Sequence, residues 1–190
     1  MCTRNLGRLA CRFAIVTMAC CASAHAGERY ELGRAATGDE IGAWDIDVRA
    51  DGTGLPAGHG SVAEGARVYA EKCAVCHGDR GQGGPMDKLV GGESSLATAG
   101  PVKTVGSFWP HASTLFDYVR RAMPFNAPQS LSNNDTYAAV AYVLHLNGII
   151  PADASLDQSS LAQVRMPNQH GFVADPRPDV ANVPCHSSCR

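Results

Sequence analysis

The residues with the clearest chemistry are Cys73-Ala74-Val75-Cys76-His77. Two thiols three positions apart, followed at once by a histidine, form the attachment signature of c-type haem. The thiols add across the haem vinyl groups, the two-residue gap matches adjacent vinyls, and His77 becomes the proximal iron ligand. A structural zinc site would need two more ligands at suitable spacing, and a thioredoxin-like dithiol would follow a strand. The approach to Cys73 is helical instead. One motif predicts one covalent haem c.

The far side of the iron needs a ligand or an open position, and methionine supplies a soft neutral sulfur that favours ferrous iron. Of the five methionines, Met1 and Met18 fall in a predicted export leader. Met86 follows His77 too closely for a chain that must first pass round the macrocycle edge. Met123 stands at the end of a helix, where Pro124 fixes the geometry, and is assigned as the distal ligand. Met166-Pro167 repeats the pair but lies beyond the last helix, and His111 and His145 are the nitrogen alternatives. Pro85 is expected to place its carbonyl near the His77 ring nitrogen and so fix the imidazole. Trp109 is read either as core or as a donor to a haem propionate.

Several elements must position these groups. Ser61-Val62-Ala63-Glu64 is a capping box, and Ala66, Tyr69, Ala70 and Cys73 follow at helical spacing on one apolar face. Gly78, Gly81, Gly83, Gly84 and Pro85 then mark a tightly bending loop. No Gly-Lys-Ser/Thr follows, which excludes a phosphate cradle. Residues 86–112 are a long Gly/Ser-rich connection, tolerable if it wraps a cofactor. A short helix is predicted over Thr114–Ala122, with Leu115, Phe116, Val119 and Ala122 inward, stopping before Pro124. The last helix spans about Asn133–Asn147, begun by Ser132 with Asp135 and ended by Gly148 and Pro151. Tyr137, Val140, Ala141 and Leu144 line one face, with Tyr142 beside it.

The flanks carry less pattern. Residues 1–26 read as a signal peptide, with Arg4, Arg8 and Arg12 before the apolar Phe13–Ala22 and a small-x-small site at Ala24-His25-Ala26. The apolar run is too short to span a bilayer. A lipoprotein signal ending at Cys20 or Cys21 would need leucine where Thr17 or Met18 stands. Cleavage near Ala26 predicts a periplasmic protein, and no other stretch is apolar enough for a membrane helix. It would remove Cys2, Cys11, Cys20 and Cys21. Cys185 and Cys189 then remain beside the haem thiols, and in an oxidising compartment they read as a local disulfide or, less readily, a link to a partner chain. Losing three arginines and no acid moves the formal charge from −2 to about −5, and without a basic patch nucleic acid is excluded as a partner.

Residues 27–60 read as an irregular arm, with Ala43–Val48 extended, Trp44 as its anchor, and turns at 51–56 and 58–60. Residues 61–150 form the haem domain. Residues 151–190 read as a polar tail with Phe172 and Val173 as anchors. On this reading deletion after Ile150 leaves the haem spectrum and helical content intact, because the arm and tail serve to hold a partner.

Capped helix, C-x-x-C-H, glycine loop, short helix, Met-Pro and C-terminal helix together resemble class I cytochrome c over about residues 61–150. The resemblance implies an all-α fold, three to four helices around one covalent haem, with Gly65 and Tyr69 meeting Tyr142 and Leu144 where the terminal helices cross. Tyr30–Arg34, Ala43–Val48, Gly52–Pro56, Ala122–Phe125 and Asp175–Val180 further resemble the cytochrome subunit of sulfite or sulfane dehydrogenases of sulfur oxidisers. That implies a molybdenum-cofactor catalytic subunit as electron donor and a downstream acceptor such as another cytochrome c. Some members of that group carry a second haem, and this chain has no second motif for one. The competing functions are a free-standing periplasmic shuttle and a haem enzyme acting on thiosulfate or peroxide, which would need an open or labile sixth site.

Overall fold

The first long helix starts where the capping box places it. Ser61 accepts the Glu64 N–H through its hydroxyl, and the Glu64 carboxylate takes the Ser61 N–H in return. Two of the helix's free amide donors are thereby satisfied. The computed structural model describes residues 32–177. The predicted leader, the Cys185/Cys189 pair, Tyr30 and Glu31, and residues 178–180 of the flanking motif lie outside that range. The described chain divides at Trp44/Asp45 into two units.

The first unit contains one short helix, α1 (Gly38–Trp44). Thr37 and Glu40 form a reciprocal cap, with the Glu40 N–H donating to the Thr37 hydroxyl and the Thr37 N–H to the Glu40 carboxylate. The Arg34 guanidinium adds a bidentate pair, and the arginine with the Thr37 amide brings the Glu40 carboxyl down to about 2. The extended segment expected over Ala43–Val48 is therefore helical as far as Trp44. Trp44 is not an anchor within its unit: α1 buries no residue, and Trp44 is 87% exposed.

The second unit is mostly helical. In order it holds β1 (His59–Ser61), α2 (Val62–Lys72), α3 (Ala74–His77), α4 (Val105–Phe108) and α5 (Ala112–Ala122). It continues with α6 (Asn133–Leu146), β2 (Ser155–Asp157) and α7 (Gln158–Ala162). Helix α2 crosses α6 in the most extensive packing of the domain. The crossing is close because Gly65 has no side chain: a Cβ there would lie 1.9 Å from the Ala138 carbonyl oxygen. Tyr69 and Tyr142 pack against each other across it, ring centroids 5.2 Å apart. The core continues through Phe116 and Tyr137, whose rings lie 4.5 Å apart, to Val140 and Leu144. Helix α6 is buried nearly all round, more widely than the one face its sequence predicts.

Residues 45–49 alternate as a strand would, with Val48 buried and Ile46 half-buried, and residues 46–50 lie along α5 before the chain turns at 49–53. The Val48 N–H donates to the Asp117 carboxylate at 2.9 Å, Ser113 donates to the Ala50 carbonyl at 2.8 Å, and Arg121 pairs with both Asp117 and Asp47. The tail is likewise no loose appendage. β2 pairs antiparallel with β1, Gly60 opposite Leu156. Asp157 caps α7 in a further reciprocal box, and Leu156, Leu161 and Met166 enter the core. Phe172 and Val173, expected as anchors, are exposed, although the Phe172 ring meets Phe108 edge-on at 5.2 Å.

Candidate haem site

Helix α2 delivers Cys73 as its C-terminal cap, and a further turn, α3, carries Cys76 and His77. The Cys76 and His77 amides both donate to the Cys73 carbonyl, at 3.1 and 3.0 Å. The two thiols therefore sit about one helical turn apart. Gly78 ends the turn with φ +79°, a conformation that favours glycine, and its carbonyl accepts the Tyr69 hydroxyl at 2.9 Å. Tyr69 thus ties the end of the motif to the α2–α6 crossing, a role its place on the apolar helix face did not reveal. Burial pushes the Tyr69 hydroxyl up to about 12, and pushes the Cys73 thiol up to about 11 with Cys76 beside it adding to the effect.

After Gly78 the chain folds back on α3. The Gly83 N–H donates to the His77 carbonyl at 2.8 Å and the Met86 N–H to the Cys76 carbonyl at 3.0 Å. This brings the Asp87 carbonyl to 2.7 Å from His77 Nδ1. The carbonyl on the imidazole is that of Asp87 rather than Pro85: the loop hydrogen bonds carry the chain two residues further before it reaches the ring. A carbonyl can only accept, so Nδ1 carries the proton and Nε2 presents its lone pair.

Met123 caps the C-terminus of α5, its N–H on the Val119 carbonyl at 3.0 Å, and it is half-buried and followed by a buried Pro124. Of the alternatives, Met166 is a core residue, and His145 Nδ1 lies 3.2 Å from the Ile150 carbonyl. His111 is the half-buried cap of α5, and Met86 is exposed. Trp109 follows α4, packs against the core and meets Tyr118 edge-on at 5.6 Å.

The residues present fit haem. A thiol pair stands on one turn, an imidazole is held in the tautomer that offers Nε2, and a methionine stands at a helix end. Val75, Met86 and Phe125, neighbours of these groups in sequence, are large apolar side chains left exposed. Fold and donor set define a helical domain that carries covalent haem and passes single electrons.

Known proteins agree. Residues 60–143 match the family described as cytochrome c oxidase, cbb3-type, subunit III. A chain in the crystal structure of the sulfane dehydrogenase SoxCD from Paracoccus pantotrophus is 44% identical, covering 85% of this chain and 83% of that one, with a TM-score of 0.76. The thiosulfate dehydrogenase of Stutzerimonas stutzeri (strain A1501) is 32% identical over 112 residues, 58% of this chain and 35% of the relative. That of Psychrobacter arcticus (strain DSM 17307 / VKM B-2377 / 273-4) is 30% identical over 100 residues, 49% of this chain and 28% of the relative. The chain thus spans about a third of the length of these two curated relatives. It belongs to the class I cytochromes c, with haem c as its cofactor and electron transfer as its function. Among the described residues no helix is long and apolar enough to cross a membrane.

Proposed function

We propose that this cytochrome is the electron-accepting subunit of a molybdenum-cofactor dehydrogenase for a reduced sulfur compound, exported to the periplasm after cleavage near Ala26. The observation that carries this reading is the 44% identity to a chain of a sulfane dehydrogenase, sustained over 83% of that chain. Haem supplies a one-electron ferric/ferrous couple. Cys73 and Cys76 would hold it as thioethers, His77 Nε2 and the Met123 sulfur would ligate its iron, and Trp109 would donate to a propionate. Pro85 stiffens the loop that presents the Asp87 carbonyl. Electrons leave to a further acceptor such as another cytochrome c. The exposed segment 32–44 is the part that holds the catalytic subunit, since it presents Leu32, Ile41 and Trp44 to solvent.

Deleting residues 32–44 removes no buried side chain of α1. The expected result is an unchanged haem spectrum and melting temperature, with affinity for the catalytic subunit down at least about tenfold, which corresponds to about 1.4 kcal/mol. Titration of the co-expressed catalytic subunit against both forms checks this. Undiminished affinity would remove the docking assignment.

The ligand assignment has its own test. Met123→Ala should admit carbon monoxide or cyanide, whereas Met123→His should stay low-spin and lower the potential, because imidazole favours ferric iron more than a thioether does. If Met166→Ala instead abolishes the methionine–iron charge-transfer band, the assignment is wrong. The similarity to thiosulfate dehydrogenases supports a second reading, a haem enzyme acting on thiosulfate. Binding of carbon monoxide or cyanide by the untreated protein would favour it.

A further inference from the structure

We propose that Asn147 is a positioning residue for the iron-binding imidazole, acting through the backbone of residues 87–89; the inference rests on the reading of His77 as proximal ligand. Asn147 caps the C-terminus of α6, and its side chain joins three elements. Its Oδ1 accepts the Gly106 N–H at 3.1 Å, which fixes the first turn of α4. Its Nδ2 donates to the Val143 carbonyl at 2.8 Å within α6 and to the Leu89 carbonyl at 3.1 Å in the loop beyond the glycines. These partners settle which way the amide points: reversed, the oxygen would face two carbonyls and the NH2 a backbone donor. The fit is close, since a Cβ on Gly106 would come within 2.4 Å of Oδ1.

Leu89 is held from its other side too, by its N–H on the Gly81 carbonyl at 2.8 Å. The Leu89 carbonyl also accepts the Val105 N–H at 3.3 Å, from the turn of α4 that Asn147 itself holds at Gly106, so the segment is clamped between the glycine loop on one side and Asn147 with α4 on the other. Two residues before this clamp, the Asp87 carbonyl receives the His77 Nδ1 proton at 2.7 Å. That bond fixes the plane of the ring and would strengthen its electron donation to ferric iron, which lowers the potential. Asn147 therefore acts on the iron ligand through one short stretch of backbone, without touching the ligand itself.

The experiment uses the haem-loaded full chain. Asn147→Leu approximates the size of the side chain and removes all three bonds. Asn147→Asp keeps an acceptor for Gly106 but turns a carboxylate oxygen towards the Leu89 carbonyl. In both variants the His77 Nδ1 proton should exchange with solvent faster than in the wild type, read by nuclear magnetic resonance. In the neutral leucine variant the midpoint potential should also rise while haem content stays the same. Wild-type exchange in the aspartate variant, or an unmoved potential in the leucine variant, would overturn the inference and leave Asn147 a fastening for α4. If the leucine variant fails to take up haem, the exchange rate of the aspartate variant decides. His77→Ala is the control: if it retains the wild-type low-spin spectrum, the ligand reading itself fails, a result distinct from the other two.

Discussion

Cys76→Ser is expected to reduce the yield of folded, haem-loaded protein to a small fraction of wild type. Cys73, the N-terminal cap of α3, and Cys76 within it stand one turn apart, both half-buried, and on the proposed reading each would supply one thioether. With serine at 76, one attachment point remains, on the thiol that burial holds protonated up to about 11. The consequence reaches beyond cofactor retention, because Val75 and Phe125 stand 77% and 76% exposed on the polypeptide alone. Surface of that kind is stabilised when an apolar group covers it, at about 25 cal/mol per Å². The wild-type protein should gain the mass of one haem, and that haem should survive acid–acetone extraction. The variant should lose its haem to extraction or hold it by a single bond, with reduced helical circular dichroism. A normal yield of folded variant without haem would show that these thiols are not what completes the domain.

Local chemistry explains which parts of this fold were legible in the sequence. The Ser61–Glu64 box, the turn at Gly78, the stop of α5 before Pro124 and the Ser132 cap of α6 each rest on residues within one turn of each other. Gly65 was legible only through the resemblance to class I cytochrome c, which implies a small residue where the terminal helices cross. What escaped depends on partners far along the chain. β1 and β2 are three residues each and gain their pairing only when residues 59 and 157 meet. Nothing in either tripeptide says so. The α1 cap was readable, since Thr37-Gly38-Asp39-Glu40 has capping-box spacing, but the acid–apolar alternation around Trp44 drew the reading towards a strand. The Asp87 carbonyl had no signal at all, because every residue carries a carbonyl and only the path of the loop selects one. Asn147 escaped for a related reason: at a helix end it reads as a terminator, and its link to Leu89 and Gly106 is tertiary.

The C-terminal segment is where this difference has the largest measurable consequence. Truncation after Ile150 should strongly destabilise the haem-loaded protein, contrary to what the irregular sequence of residues 151–190 suggests. The cut removes β2, leaving β1 without its partner strand, and removes the Ala154 carbonyl that accepts the Val62 N–H at 3.0 Å at the start of α2. It also takes Leu156, Leu161 and Met166 out of the core, Leu161 being 0% exposed. Substituting a single such leucine by alanine costs about 2–5 kcal/mol, against a total stability of about 5–15 kcal/mol for a domain. Leu161→Ala alone should therefore lower the melting temperature by roughly 4–20 °C, at about 2–4 °C per kcal/mol for a domain of this size. Truncation should lower it further and weaken retention of native structure around α2, the helix that delivers Cys73. Thermal melts followed at the haem absorbance and by circular dichroism, on the full chain, Leu161→Ala and the truncated form, give the comparison. A truncated protein that melts with the wild type would mean that the β1–β2 pairing and the Leu161 contact contribute nothing, and would return the tail to the role of a docking appendage.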